Sequence, residues 1–129
     1  MESAVSLDSV AHDVIGAAIE VHRHLGPGYL ESIYEEALCV ELAGRGIRFE
    51  RQLELGIDYK GKRIGKGRLD LLVENQLIVE LKTVERLLPI HQAQVISYLK
   101  ATSLQLGLLI NFNNVVLKQG IKRVVLTNT

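Results

Sequence analysis

An α/β layered domain with the element order α-α-β-β-β-α-β-β is what the 129-residue sequence predicts. Three observations carry that expectation. Apolar residues recur at helical spacing through the first third of the chain. The period then switches to alternation from Phe49 to Thr83. The run "LQLGLLINF" is apolar throughout, as a strand covered by layers on both faces would be.

The elements follow in order. Val10, Val14, Ala18, Val21 and Leu25 share one face of a helix over Leu7 to Leu25, with Ser9 or Asp8 as its cap. "GPG" at Gly26 to Gly28 ends it, since Pro and Gly break helical hydrogen bonding. A second helix from Leu30 to Ala43 places Leu30, Tyr34, Ala37, Leu38 and Leu42 at helical intervals and closes at "GRG". "YKGK" predicts a tight hairpin turn centred on Lys60 and Gly61, which sets Asp58 opposite Arg63 and Ile57 opposite Ile64. Pro89 opens a third helix to Thr102. "LQLGLLINF" and "IKRVVL" supply the last two strands.

Between the hairpin turn and the third helix lies "RLDLLVENQLIVELKT", an apolar segment carrying Asp70, Glu80 and Lys82. Alternation sets Leu69, Leu71 and Val73 on one side of its first strand, and Leu77, Val79 and Leu81 on one side of its second. If both sets share a core, the register pairs Leu69 with Leu81, Leu71 with Val79 and Val73 with Leu77. Asn75 then sits at the turn, where it tolerates a left-handed backbone. On the other face, Asp70 falls opposite Glu80 and Arg68 opposite Lys82, with Cβ atoms about 4.5–5.5 Å apart across the pair. Two carboxylates this close repel unless one is protonated or a cation lies between them. A divalent ion on one or two carboxylates plus waters is the usual Mg²⁺ arrangement, and a neighbouring lysine suits developing phosphate charge. The same residues equally describe a solvated strand face with an Asp/Glu/Lys ion pair.

Composition narrows the field. Lys+Arg and Asp+Glu number 15 each, so the chain does not coat nucleic acid by bulk charge, although "KGKRIGKGR" places Lys60, Lys62, Arg63, Lys66 and Arg68 in one acid-free stretch. That stretch reads either as a guide for a phosphodiester backbone or as a solvated hairpin tip. No apolar run approaches the roughly 18 residues of a membrane span, and the N-terminus lacks the pattern of a signal peptide. The single Cys39 forms no internal disulfide. A single cytoplasmic domain over residues 1–129 is the expectation, and a homodimer is compatible with the neutral charge.

Asp70 followed by Glu80-Leu81-Lys82 after a short hairpin resembles the signature of the PD-(D/E)xK nuclease superfamily. More narrowly, "GPGYLESIYEEAL" contains Gly28-x-x-Glu31-x-x-x-Glu35, and "LIVELKTVERLLPIHQAQVISYLK" and "GLLINF" precede "GIKRVV". In that order these blocks, from His12 to Val125, resemble a small bacterial and archaeal family named for its GxxExxxE motif. Leu69 stands where the superfamily often has proline, a change that removes no ligand.

The resemblance implies a restriction-endonuclease-like three-layer core, a mixed β-sheet flanked by helices. It implies Mg²⁺ or Mn²⁺ on Asp70, Glu80 and the Leu81 carbonyl, completed by Glu35. Lys82 takes the part of the catalytic lysine and Gln94 that of a further catalytic residue. Glu31, His91 and Tyr98 support the site. The implied substrate is DNA, or less readily RNA. Each role has a plainer counterpart: Glu31 as a first-turn glutamate, Glu35 as a solvated side chain, His91 as a helix-start residue, and Gln94 with Tyr98 as a buttress to the sheet. A non-cleaving module on the same fold, binding nucleic acid or protein, is the rival function.

Overall fold

The computed structural model describes residues 6–127. Its elements are α1 (Leu7–Leu25), α2 (Glu31–Gly44), β1 (Phe49–Tyr59), β2 (Lys62–Val73), β3 (Leu77–Lys82), α3 (Pro89–Thr102), β4 (Leu106–Asn111) and β5 (Ile121–Val125). This is the expected order, with one addition: a 3₁₀ turn, Leu117–Gly120, leads into β5. Four residues are too few to show a period, so alternation and helical spacing are both silent there.

The strands lie in sequence order. β3 and β4 are parallel and joined through α3; the other neighbours are antiparallel. Parallel neighbours need a crossover, and the helix supplies it. One face of the sheet packs on α1 and α2 through Val14, Ala18, Tyr34, Leu38, Leu71, Val79 and Leu108. The other packs on α3 through Leu69, Ile78, Val95, Leu99 and Leu109. Helices on both faces explain why β4 is buried at all six positions.

Caps and turns differ in detail from the expectation. Ser6 rather than Ser9 or Asp8 caps α1: its hydroxyl accepts from the Ser9 N–H at 3.1 Å. α1 ends at Gly26, where φ is +69°. The buried Tyr34 hydroxyl holds the Gly-Pro-Gly turn by donating to the Gly26 carbonyl and accepting from the Tyr29 N–H at 3.2 Å. Its ring stacks on Phe112 at 4.5 Å between centroids. In the turn joining β2 to β3, Asn75 is left-handed as expected, and so is Glu74.

Two register expectations are corrected. Asp58 does face Arg63, but Ile57 pairs with Gly65, because a bulge between Ile57 and Asp58 shifts the ladder by one. The shift brings Leu53 opposite Leu69 instead of Arg68, so apolar meets apolar. The second correction concerns Leu69. Leu71 and Val73 pack toward α1 and α2, while Leu69 packs toward α3, so it does not share a core face with Leu81. β1 changes face with it: Phe49 lies on the α1/α2 side, Leu53 and Leu55 on the α3 side. Gln52, at φ +49°, marks the reversal within β1, and Asp70 is its counterpart in β2.

β3 leads into the loop before α3, and Asn111 anchors that loop. Its fully buried amide accepts from the Val84 N–H at 3.0 Å and donates to the Val84 carbonyl at 2.9 Å and Asn114 Oδ1 at 2.7 Å. Asn111→Leu should therefore lower stability to urea by about 1–3 kcal/mol, the cost of stranding buried backbone groups. Chemical denaturation followed by circular dichroism measures it.

Candidate active site

The β2–β3 ladder pairs Val73 with Leu77, Leu72 with Ile78 and Leu71 with Val79, the register that apolar matching predicts. Beyond Leu71 the strands part, and side chains take over from the backbone. The Asp70 N–H donates to Glu80 Oε1 at 3.0 Å, and the Leu81 N–H donates to Asp70 Oδ2 at 2.8 Å. A strand residue's C=O projects to the same side as its N–H, so the Leu81 carbonyl faces this opening as well.

Glu80 is almost fully buried, and burial, followed by the charge of Asp70, pushes its pKa from 4.5 up to about 8. Burial also raises Asp70, against the opposing effect of the Leu81 N–H. Lys82 lies near enough to lower both carboxyls, though not enough to offset burial. Two carboxyl groups this close and this desolvated call for a shared proton or a cation between them. Among the described residues no three His, Cys, Asp or Glu side chains form a metal-ligand cluster. Two carboxylates, a carbonyl and water fit Mg²⁺ or Mn²⁺, which keep several waters, better than they fit a closed protein cage.

The second helix brings its glutamates to the same place. Glu31 is raised by partial desolvation and by Asp70. Glu35 is buried, with both oxygens engaged: Oε1 accepts from Gln52 Nε2 at 2.7 Å, and Oε2 accepts from Arg51 Nη2 at 2.9 Å and Nε at 3.3 Å. Gln52 Nε2 also reaches Asp70 Oδ1 at 3.4 Å. Glu35 is therefore one amide away from Asp70. Neither Arg51 nor Gln52 stands out in the sequence, because a polar residue on an alternating strand reads as solvent-facing, and Gln carries no preference for a left-handed backbone.

On the other side, Lys82 lines a cavity of about 470 Å³ with Ile90, His91, Ala93, Gln94 and Ser97. Gln94 donates to the Tyr98 hydroxyl at 3.3 Å. The Tyr98 ring lies against Gly67, where a Cβ would stand 3.0 Å from it. His91 has a capping role: its Nδ1 accepts from the Leu88 N–H at 2.9 Å at the start of α3.

The basic stretch on the hairpin arm is partly neutralised by β1. Arg63 pairs with Asp58 at 2.6 Å, and Lys66 and Arg68 approach Glu54 at 3.5 and 3.9 Å. Lys60 sits over the Tyr59 ring, and Lys62 is exposed. These acids lie outside the basic run in sequence, so only strand pairing brings them alongside. His22 and His24 diverge: His22 meets the Asn114 carbonyl at 2.8 Å inside the fold, and His24 meets Glu20 at its surface.

A family model described as the PD-(D/E)XK nuclease superfamily matches residues 8–124. Among solved structures, the crystal structure of SSO0001 is similar in fold, with a TM-score of 0.58 at 17% identity, over 93% of this chain and 79% of that one. No curated protein matches the chain significantly. No helix among the described residues is long and apolar enough to cross a membrane.

The raised Glu80 pKa makes stability depend on pH in a defined direction. Between 4.5 and about 8 the folded chain keeps a proton that the unfolded chain releases. Stability from this group therefore falls as pH rises through that window. In EDTA, thermal melts from about pH 5 to about pH 9 should show a decline that Glu80→Gln flattens, with the variant melting several degrees above the parent at the alkaline end. An equal decline in both proteins would assign the dependence elsewhere.

Proposed function

Because the chain belongs to the PD-(D/E)XK nuclease superfamily, we propose that it is a Mg²⁺- or Mn²⁺-dependent nuclease hydrolysing phosphodiester bonds, in DNA ahead of RNA. The observation that supports this most is the Asp70–Glu80 carboxyl pair at the parting of β2 and β3, with Lys82 beside it facing the cavity under α3. Within the superfamily, Gly28, Glu31 and Glu35 favour the narrower GxxExxxE family. Residues 1–129 would form one nuclease-like domain.

Asp70, Glu80 and the Leu81 carbonyl would hold the ion. Glu35 would join them only by trading its Gln52 hydrogen bond for coordination. The ion supplies an activated water and charge neutralisation at the phosphate. The chain's own residues orient what surrounds it. The Leu81 N–H fixes one oxygen of Asp70, and the Asp70 N–H fixes one oxygen of Glu80, so neither carboxylate rotates freely. Lys82 offers its ammonium to the phosphate oxygens, where charge grows in the transition state. Gln94, held through Tyr98, presents its amide to the same cavity. His91 keeps Nδ1 on the Leu88 N–H, leaving Nε2 for substrate. Lys60 and Lys62 at the arm's tip would steer the backbone toward the site, with Arg63, Lys66 and Arg68 contributing less because of their acidic partners.

Those same ion pairs favour a second reading, a non-cleaving module, since they reduce the charge available for nucleic acid. Incubation with linear, nicked, branched and single-stranded DNA and with RNA, in Mg²⁺ or Mn²⁺, separates the two. Cleavage should fall at least about a hundredfold in Asp70→Ala and in Lys82→Ala. Cleavage that survives both substitutions refutes this site. Binding without cleavage, indifferent to Asp70→Ala and Glu80→Ala, favours the module.

The arm makes a separate expectation. Replacing Lys60 and Lys62 by alanine should weaken DNA binding uniformly across sequences and lower the slope of log K against log salt by about 1 per lysine. Fluorescence anisotropy across a salt series reads it.

A further inference from the structure

Successive strand residues project to opposite faces. Arg51 and Gln52 are successive in β1, yet both grip Glu35: Arg51 takes Oε2 and Gln52 takes Oε1. The backbone at Gln52 makes this possible. Its φ of +49° lies in the left-handed region, uncommon for a non-glycine residue inside a strand. Arg51 still pairs with Leu71 and Leu53 with Leu69, while Gln52 and Asp70 between them drop out of the ladder. The interruption therefore centres on the residue that reaches the candidate ligand.

A left-handed non-glycine residue is strained and persists only where its surroundings over-determine it. Asn or Gly would take the same backbone conformation more readily. Neither has a side chain long enough to span Glu35 and Asp70. The amide also has a chemical advantage over a cation. It offers two N–H donors without charge, so it bridges the carboxylates and leaves them anionic toward a metal ion. Arg51 beside it is committed to Glu35 and Glu36.

We propose that Gln52 is a positioning residue for the metal site, its amide tying Glu35 on α2 to Asp70 on β2 and its left-handed backbone aiming that amide. The inference rests on the metal-dependent reading of the Asp70–Glu80 pair. It treats the Glu35 carboxylate as an outer support for Asp70 whenever the Gln52 bridge is intact.

The test is Mn²⁺ binding by calorimetry to the full chain as wild type, Gln52→Gly and Gln52→Asn, with melting temperatures taken in EDTA. Gln52→Gly relieves the backbone strain but removes the donor to Glu35 Oε1, so the two effects oppose and it should melt close to the wild-type temperature. Its Mn²⁺ affinity should fall about 10–100-fold, the usual loss when an outer partner of a metal ligand is removed. Equal Mn²⁺ affinity in Gln52→Gly and wild type overturns the inference while leaving the metal reading intact. If Gln52→Gly loses both stability and binding, Gln52→Asn decides. Recovery of melting temperature alone supports the need for the longer amide, and recovery of both overturns it. A wild type that binds no Mn²⁺ ends the metal reading and this inference together.

Discussion

Where β2 and β3 separate, each strand offers the other a carboxylate in place of a backbone carbonyl. Asp70 Oδ2 takes the Leu81 N–H, and Glu80 Oε1 takes the Asp70 N–H. A buried N–H without a partner costs about as much as a lost hydrogen bond, so the end of a ladder inside a protein must be closed somehow. Here it is closed by acids. That choice buries Glu80 almost completely and Asp70 in part, and desolvation raises both pKa values. The chemistry of the site and the termination of the sheet are the same event.

The surrounding layers follow from that opening. β3 continues past it because β4 pairs with it in parallel as far as Lys82 opposite Asn111. α3 then crosses over that face, and its first turns build the cavity beside Lys82. The opposite layer brings α2, whose Glu35 meets the strands through Arg51 and Gln52. The β1–β2 hairpin reverses its buried face at this level, resting on α1 and α2 near its base and on α3 further out. Acids from α2, β2 and β3 and an amine from β3 therefore meet where three packing relationships change.

Much of this is legible from particular residues. The apolar positions Leu71, Val73, Leu77 and Val79 have one register that puts them on a common face, and that register alone brings Asp70 level with Glu80. Pro89 marks the start of α3, and the unbroken apolar run of β4 announces cover on both sides. Alternation fails at Leu69, because it assumes a regular strand and Gln52 is not in a regular conformation. The ion pairing of the basic stretch is invisible in the sequence for a related reason. Its acidic partners, Glu54 and Asp58, come from the neighbouring strand, through a ladder that a bulge has shifted.

The element order, the β2–β3 register and the identity of the carboxylates and lysine at its open end can be read from the residues alone. Those features depend on local period and on the burial of aliphatic side chains, both written in the order of residues. How the glutamates of α2 reach that site, which basic residues gain acidic partners, and where the hairpin turns over emerge only in the folded chain. Those depend on a single backbone dihedral at Gln52 and on contacts between elements far apart in the chain, for which neighbouring residues carry no signal.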